Sequence, residues 1–395
     1  MSAGSDARTH PGMHASTSAG PHAAAESLVD AGPALRLAAT RIRARLGAWA
    51  APDQAWNIWS GAELKTSVVC GPGNLVVRID TAVTVEQQAS WLSSGAALLT
   101  VAYRQATLSV NGEIYRISGN PEPQWLAAFA AFLDCGCVPQ DALCWAWGWR
   151  DGAHAEHDWP TDPDLMPQVL GLPALPAGHA YPDCPRELGL YPVVPDAQWV
   201  ERLLAAGVKT IQLRLKHERQ TDGDIGAQGV IEREIARAVA AGQAYQARVF
   251  INDHWQAALD AGAYGVHLGQ EDLQVADLSA IARAGVRLGL STHGVYEMLL
   301  AWHYRPSYLA FGAVFPTQTK QLASMPQGIA RLGHFADLFA ARVSTVAIGG
   351  IDLARLPQVL ATGVGSAAVV RAVTAAADLD GALAALKQAF AQGAA

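Results

Sequence analysis

The chain has 395 residues, of which 51% are hydrophobic and 16% are charged, and its formal net charge is −7. This length exceeds what one hydrophobic core usually organises, so it predicts two domains. The mildly acidic balance offers no basic surface for nucleic acid or an anionic membrane, and no apolar run reaches the roughly 20 residues of a membrane-spanning helix. We therefore expect a soluble protein with neither nucleic acid nor membrane as a partner.

Two features of the chain bear on where the protein works. Residues 1–26 are rich in Ala, Ser, Gly and His and lack a basic start followed by an apolar stretch, which predicts a disordered tail and not a signal peptide. An odd number of cysteines without an export signal predicts reduced thiols in a cytoplasmic protein. These cysteines are Cys70, Cys135, Cys137, Cys144 and Cys184.

Residues 27–155 predict a small α/β domain. Two helical patterns, 127–134 and 140–146, surround a turn, and apolar runs at Asn74–Ile79 and 97–101 predict strands. The residues at 145, 147 and 149 are all tryptophans, for which we expect packing in a core or an interface. Residues 156–186 follow with seven prolines and no regular periodicity, which is typical of a semi-rigid linker.

From residue 187 to residue 392, short β-rich runs alternate with Ala-rich amphipathic segments. Eight strand–helix units in this length are close to the lower limit of a (β/α)8 barrel, so we predict a TIM barrel preceded by the smaller α/β domain. An open doubly wound sheet is the alternative. The predicted strands are 188–194, 209–215, 247–252, 264–269, 287–291, 307–313, 344–349 and 366–370.

Polar side chains stand at the ends of three of these strands. Gln212, Arg214 and Lys216 alternate along one strand and therefore point to one face. Asp253 and Asp272 each come shortly after an apolar run. Two carboxylates that face two cations across neighbouring strand ends suit a diphosphate together with a divalent metal ion.

Six motifs in this region resemble those of the thiamine-phosphate synthase family, also called thiamine-phosphate pyrophosphorylase. The resemblance covers roughly residues 187–392, about half of the chain. It implies a TIM barrel and an enzyme of the transferase class. The motifs are Gln-x-Arg-x-Lys (212–216), Asn-Asp (252–253), Val-His-Leu-Gly-Gln-Glu-Asp (266–272), Gly-Leu-Ser-Thr-His (289–293), Gly-x-Val-Phe-Pro-Thr-x-Thr-Lys (312–320) and Ala-Ile-Gly-Gly-Ile (347–351).

The family reaction joins hydroxymethylpyrimidine diphosphate to hydroxyethylthiazole phosphate and releases diphosphate. By resemblance, three cations bind the diphosphate, namely Arg214, Lys216 and Lys320, and two carboxylates bind Mg²⁺, namely Asp253 and Asp272. The resemblance further implies that Gln212, Asn252 and Ser291 contact the pyrimidine diphosphate, and that Thr317, Thr319, Gly350, Val370 and Arg371 contact the thiazole phosphate.

Each of these residues also has a purely structural interpretation. The residues at 212, 214 and 216 could form an ion-paired layer inside the barrel, while Asp253, Asp272, Ser291 and Thr317 could cap helices. For His267 we expect a packed, hydrogen-bonded strand histidine and not a general base. Two residues depart from the family pattern: His254 stands where the family has Arg, and Arg371 stands where it has Ser.

The first half of the chain faintly resembles the C-terminal part of hydroxymethylpyrimidine phosphate kinases of the ribokinase-like fold. In place of their glycine-rich anion-binding turn it carries Pro121 and Pro123, which lack N–H donors, so we interpret it as a degenerate kinase remnant. Three alternative functions stay open: a bifunctional kinase–synthase, a thiazole tautomerase, and a non-catalytic regulator that binds thiamine intermediates. Assembly into a homo-oligomer stays open too.

Overall fold

The computed structural model describes residues 26–50, 52–60, 71–152, 157–176, 179–215, 225–317 and 326–393. By contacts the chain divides into two compact units. One lies within residues 1–115 and 121–158, and the other consists of 116–120 and 159–395. The predicted tail, residues 1–26, falls almost entirely outside the described residues, and the predicted domain boundaries stay predictions.

The first unit is an α/β domain, as predicted, and the helices and strands predicted for it are confirmed. Strands β1 to β4 run parallel to one another, and β4 and β5 pair as an antiparallel hairpin. The strands are β1 (Leu28–Val29), β2 (Asn57–Trp59), β3 (Asn74–Ile79), β4 (Ala97–Ala102), β5 (Gln105–Val110) and β6 (Glu113–Ser118), of which residues 116–118 belong to the second unit. The helices are α1 (Pro33–Arg45), α2 (Val85–Ser93), α3 (Trp125–Asp134) and α4 (Pro139–Gly148).

Local sequence signals explain where these helices begin. Thr84 and Gln87 form a capping box at α2, in which the Thr84 hydroxyl accepts from the Gln87 N–H and the Thr84 N–H donates to the Gln87 side chain. Helix α4 starts with Pro139, which is favourable because an N–H in the first turn would have no acceptor within the helix. The three tryptophans at 145, 147 and 149 are buried, which confirms their packing role.

The second unit contains a closed barrel of eight parallel strands, which confirms the predicted (β/α)8 architecture and excludes the open sheet. The barrel closes where β15 pairs with β8. Its strands are β8 (Gly189–Val194), β9 (Thr210–Leu213), β10 (Arg248–Asn252), β11 (Gly265–Leu268), β12 (Arg287–Thr292), β13 (Tyr308–Phe311), β14 (Ser344–Ile348) and β15 (Ser366–Val369).

The helices of this unit follow the strands in alternation. The helix after β8 illustrates why: the Asp196 carboxylate accepts from the Trp199 N–H and so caps the first turn. The helices are α5 (Ala197–Ala205), α6 (Ile225–Ala244), α7 (Trp255–Asp260), α8 (Leu278–Arg283), α9 (Val295–His303), α10 (Gly328–Phe339), α11 (Leu356–Leu360), α12 (Arg371–Thr374) and α13 (Leu379–Gly393).

The proline-rich segment that the sequence predicts as a linker packs on the barrel unit from residue 159 onward. Its two-residue strand β7 (Gln168–Val169) pairs antiparallel with Ile117 and Ser118. Trp159 is buried and stacks on His334 with ring centroids 4.2 Å apart. The Tyr181 hydroxyl donates to the Leu278 carbonyl at 3.1 Å. The segment from residue 159 onward is therefore packed against the barrel unit, which its proline content alone does not predict.

Two further sequence expectations concern membranes and thiols. Among the helices that the structure describes, none is both long enough and apolar enough to cross a bilayer. Four of the cysteines are free thiols: Cys135, Cys137 and Cys144 are buried and Cys184 is half-buried. Cys70 lies outside the described residues.

Candidate active site

A cavity of about 660 Å³ opens at the carboxyl ends of the barrel strands. Parallel (β/α)8 barrels place their functional residues at this end, because the loops that leave all eight strands converge there. Ten of the predicted site residues line it: Gln212, Arg214, Asn252, Asp253, Asp272, Ser291, Thr317, Gly350, Val370 and Arg371. Lys216, Thr319 and Lys320 lie outside the described residues.

Gln212 and Arg214 reach the cavity from the end of β9. Gln212 is buried, whereas Arg214, one residue past the strand, is half-buried and is held by a backbone hydrogen bond from its N–H to the Val194 carbonyl at 2.8 Å. Arg214 makes no ion pair with any residue that the structure describes. Arg214 lines the cavity, so its side chain stands at the wall that a ligand would contact.

Asn252 is the last residue of β10, and Asp253 follows it directly. Asp253 has a φ of +62°, a left-handed conformation that non-glycine residues rarely adopt, and its N–H donates to the His267 carbonyl at 3.0 Å. Six other described non-glycine residues also have a positive φ, but Asp253 is the one among the seven that lines the cavity. Helix α7 has His254 at its N-cap position, so Asp253 does not cap that helix.

Asp272 lies on a short 3-10 helix that follows β11. Its Oδ2 accepts from the Gly269 N–H at 2.7 Å, which closes the loop at the strand end and fixes the carboxylate at the cavity wall. The N-cap position of the 3-10 helix is Gln270 and that of α8 is Asp277, so Asp272 caps neither. With Asp253 it gives two carboxylates at the ends of neighbouring strands.

These two carboxylates suit Mg²⁺. Magnesium in phosphate-handling sites is usually bound by one or two carboxylates, with phosphate oxygens and water as the other ligands. Asp253 is exposed to the cavity and Asp272 keeps its second oxygen, Oδ1, beside the hydrogen-bonded Oδ2. The donor set therefore fits a hard divalent cation.

Ser291 and His267 lie next to each other at the cavity floor. The His267 Nε2 and the Ser291 Oγ are 2.8 Å apart, and the His267 Nδ1 lies 2.7 Å from the Tyr308 hydroxyl. Since His267 is buried and hydrogen-bonded through both ring nitrogens, the prediction of a packed strand histidine is confirmed.

The helix after Ser291 has Gly294 at its N-cap and the helix after Thr317 has Gln327, so neither residue is a helix cap.

The opposite wall is formed by the loops after β14 and β15. Gly350 has a φ of +64°, and a Cβ at this position would lie 2.7 Å from the Pro316 carbonyl oxygen, so that only glycine fits. Arg371 is the first residue of α12 and is exposed at the cavity. Together they place close backbone and one cation where barrels of this class commonly bind phosphate.

Sequence reasoning missed Arg355, which also lines this wall. Its Nη1 donates to the Gly350 carbonyl at 2.6 Å, and its guanidinium lies 4.8 Å from the centre of the Phe315 ring. Arg355 thus contacts both the loop that contains Gly350 and the loop that contains Phe315, which lie against each other. The sequence carries no signal for it, because it belongs to no motif and only the fold brings Phe315 beside it.

Comparisons with known proteins concern the barrel half of the chain. A family model described as Thiamine monophosphate synthase matches residues 190–373. Thiamine-phosphate synthase of Escherichia coli O1:K1 is 56% identical over 198 residues, which are 50% of this chain and 90% of that protein. Thiamine-phosphate synthase of Shigella boydii serotype 18 is 55% identical over the same shares of the two chains.

Among solved structures, thiamine phosphate pyrophosphorylase from Pyrococcus furiosus is 28% identical and has a TM-score of 0.46, with 53% of this chain and 99% of that chain covered. The match to the Escherichia coli protein spans nine tenths of that relative at more than half identical residues. Through its barrel half, this chain belongs to the thiamine-phosphate synthase family of transferases.

Proposed function

We propose that the barrel joins hydroxymethylpyrimidine diphosphate to hydroxyethylthiazole phosphate and releases diphosphate. One observation carries the proposal: a single cavity has Arg214, Asp253 and Asp272 on one wall and the tight glycine loop at Gly350 with Arg371 on the other. Two phosphorylated substrates need two anion-binding walls that face each other across the reacting atoms. The cavity volume of about 660 Å³ lies within the range of sites for small molecules of this kind.

The first wall would act on the diphosphate leaving group. Breaking the pyrimidine C–O bond transfers negative charge to the diphosphate and leaves a cation that the ring amino group stabilises. Cations fixed beside the departing oxygens lower this barrier because they stabilise charge that develops in the transition state. Arg214 supplies a planar guanidinium suited to two phosphate oxygens at once, and by resemblance Lys216 and Lys320 add point charges.

Asp253 and Asp272 would hold Mg²⁺ on the same wall. When bound there, the ion neutralises diphosphate charge and fixes its orientation. The protein's own part is geometric: the left-handed backbone at Asp253 and the hydrogen bond from Gly269 to Asp272 set both carboxylates before the substrate arrives. Because both carboxylates are already in place, binding does not require the entropy loss of ordering them.

The second wall would hold the thiazole phosphate, so that its ring nitrogen meets the pyrimidine carbon. Gly350 allows the backbone to approach closely, and Thr317 supplies a hydroxyl suited to phosphate oxygens. Arg371, which replaces the family's usual serine, adds a cation beside a phosphate dianion and is compatible with that role. The site would thus keep the thiazole close to the cation and limit its capture by water.

A thiazole tautomerase or a non-catalytic regulator would have no need for both metal-binding carboxylates, and their presence favours the synthase. The free thiols of the described cysteines support a reducing compartment such as the cytoplasm as the place of the reaction.

The proposal is tested by mixing the purified protein with both substrates and Mg²⁺ and measuring thiamine phosphate and diphosphate. We expect the two products in equal amounts, and no thiamine phosphate when the metal is removed by a chelator. A second reaction contains hydroxymethylpyrimidine phosphate and ATP in place of the diphosphate, and it tests the bifunctional alternative. Absence of thiamine phosphate from folded protein with all components present contradicts the proposal.

A further inference from the structure

A row of polar side chains runs through the barrel interior beneath the cavity. The Gln212 Nε2 donates to the Tyr191 hydroxyl at 3.4 Å, the Tyr191 and Tyr308 hydroxyls are 3.0 Å apart, and Tyr308 is 2.7 Å from the His267 Nδ1. The His267 Nε2 then reaches the Ser291 Oγ at 2.8 Å. Because β8 and β13 are not neighbours in the barrel, the contact between their tyrosines crosses its interior.

The two tyrosine rings are fixed by packing. Both lie against Phe250, with ring centroids 5.7 Å away for Tyr191 and 5.2 Å for Tyr308. Gly289, the register partner of Tyr308 on β12, leaves room for the tyrosine ring, since a Cβ there would lie 2.1 Å from it. A ring held so closely has one position for its hydroxyl, and that position is between Tyr191 and His267.

The hydroxyls cannot be left without partners. Tyr191 is 1% exposed and Tyr308 is 0% exposed, and a buried hydroxyl without a hydrogen bond destabilises the fold. Burial also raises the pKa of both phenols well above the usual value, so each keeps its proton under ordinary conditions. Each hydroxyl therefore has one proton to donate.

The direction of donation follows from the amide at one end. The Gln212 Nε2 donates to the Tyr191 oxygen, and Gln212 also hydrogen-bonds the Tyr308 hydroxyl. Among the described residues the Tyr191 proton then has the Tyr308 oxygen as its acceptor. The Tyr308 proton then goes to the His267 Nδ1, which leaves the ring proton on Nε2 for the Ser291 oxygen. Because the Ser291 oxygen accepts from the His267 Nε2, the Ser291 hydroxyl proton can be donated to a ligand in the cavity.

From this order we propose that Tyr308, supported by Tyr191, is a positioning residue that holds His267 as the Nε2-protonated tautomer and makes the Ser291 hydroxyl a donor to the pyrimidine diphosphate. This inference rests on the proposed function, since it assigns a role within the same site. A hydroxyl presented as a donor recognises an acceptor atom on that substrate, a ring nitrogen or a phosphate oxygen. Gln212, at the other end of the row, is held in the same way for the same substrate.

The test removes single oxygen atoms. In Tyr308→Phe the His267 Nδ1 loses its donor, and we expect the KM for the pyrimidine diphosphate to rise about 5- to 10-fold, the scale of one neutral hydrogen bond. The KM for the thiazole phosphate stays at the wild-type value. In Tyr191→Phe, Tyr308 can still donate to His267, so the rise is smaller. Tyr264→Phe is the matched control, because Tyr264 packs on the same Phe250 ring and its hydroxyl is outside the row.

A second readout does not depend on activity. ¹⁵N NMR distinguishes a protonated from an unprotonated imidazole nitrogen, and the His267 signals are those lost in His267→Gln. At a mildly alkaline pH, where an ordinary histidine is neutral, we expect wild-type protein and Tyr264→Phe to show protonated Nε2 and unprotonated Nδ1. In Tyr308→Phe the signals move towards a mixture of the two tautomers.

Failure of the inference and failure of the proposed function look different. If wild-type protein makes no thiamine phosphate, the proposed function fails, whatever the tautomer. If it does make thiamine phosphate but His267 carries its proton on Nδ1, the order of donation is wrong. An unchanged KM and unchanged ¹⁵N shifts in folded Tyr308→Phe likewise overturn the inference, as does a larger effect from Tyr191→Phe than from Tyr308→Phe.

Discussion

The two units of this chain bury polar side chains for different purposes. In the first unit, Arg43 on α1 and Asp134 on α3 are both buried and are joined by a salt bridge and hydrogen bond. In the barrel, Gln212, Asn252 and His267 are also buried, yet all three line the cavity at the strand ends. The first set forms an ion pair within the protein. The second set also has internal hydrogen bonds, as His267 shows, but its residues face the cavity as well.

The difference shows what distinguishes a structural polar group from a functional one. A charge buried opposite its counter-charge needs no further partner, so the pair between α1 and α3 locks two helices together. Polar groups that share a cavity, with a left-handed Asp253 beside them, are placed for a partner that is not part of the chain. Both sets are polar and buried, but only the second lines the cavity.

The largest effect that would sharpen this comparison is expected at Asp253 and Asp272, the carboxylates that we propose as metal ligands. Asp253→Asn or Asp272→Asn should lower Mg²⁺-dependent turnover by on the order of 100- to 1000-fold, because the amide cannot neutralise the ion. Thermal unfolding should be close to wild type. The measurement is the rate of diphosphate release as Mg²⁺ is titrated.

Asp277→Asn is the matched control for these variants. Asp277 caps α8 through the Ala280 N–H at 2.8 Å and does not line the cavity, and Asn caps a helix about as well as Asp. Its activity and stability should stay at wild-type values. Full activity in both Asp253→Asn and Asp272→Asn would remove the metal assignment.

The next effect separates the two walls of the cavity. Lys216→Ala or Lys320→Ala should slow C–O cleavage by roughly 30- to 1000-fold, which corresponds to about 2–4 kcal/mol for one lost electrostatic contact in the transition state. Thr317→Val should instead weaken binding of the thiazole phosphate and leave cleavage intact. The measurement is diphosphate release with and without thiazole phosphate.

Lys209→Ala controls for the loss of a lysine, because Lys209 precedes β9 and donates to the Tyr245 carbonyl at 3.1 Å, outside the cavity lining. Its cleavage rate should equal that of wild type. If Lys320→Ala and Thr317→Val both lose only thiazole affinity, with cleavage unchanged at saturation, the division of the cavity between the two substrates is wrong.

A stability measurement tests the structural role of the buried ion pair in the first unit. Arg43→Met leaves Asp134 buried without its counter-charge and should lower the free energy of unfolding by about 3–5 kcal/mol. Arg41→Met on the same helix removes an exposed bridge to Asp151 and should cost less than about 1 kcal/mol. Tryptophan fluorescence during urea unfolding follows the first unit, since eight of the twelve tryptophans precede residue 158. Equal effects of the two variants would contradict a structural role for the buried pair.

The smallest expected effect is on activity when the first unit is removed. Fragments 159–395 and 187–395 should both make thiamine phosphate, because every described residue that lines the cavity lies after residue 187. The shorter fragment should melt at a lower temperature, since it lacks the Trp159 stack on His334 and the Asp164 bridge to Arg342 at 2.7 Å. A folded 159–395 fragment without activity would show that the first unit contributes to catalysis.

Much of the barrel follows from sequence pattern. Its eight strands were each predictable within one or two residues, because a buried parallel strand is a short apolar run between turn residues, and Gln212, Asn252 and Asp253 stand where such runs end. The first unit was predictable only as helices and strands, since its sheet has no motif that specifies the strand order. Cavity residues such as Arg355 could not be predicted, because the packing of Arg355 on Phe315 joins two loops that are far apart in the sequence.

By itself the sequence determined the fold class, the family and most of the residues at the strand ends, since strand periodicity and motif order are local properties of the chain. Only the tertiary structure decided which polar residues meet. Tyr191 and Tyr308 are separated by 117 positions and belong to strands that are not neighbours, yet their hydroxyls lie 3.0 Å apart because the sheet closes on itself. Closure of the barrel is a long-range event, and it alone turns separate strand residues into one hydrogen-bonded row beneath one cavity.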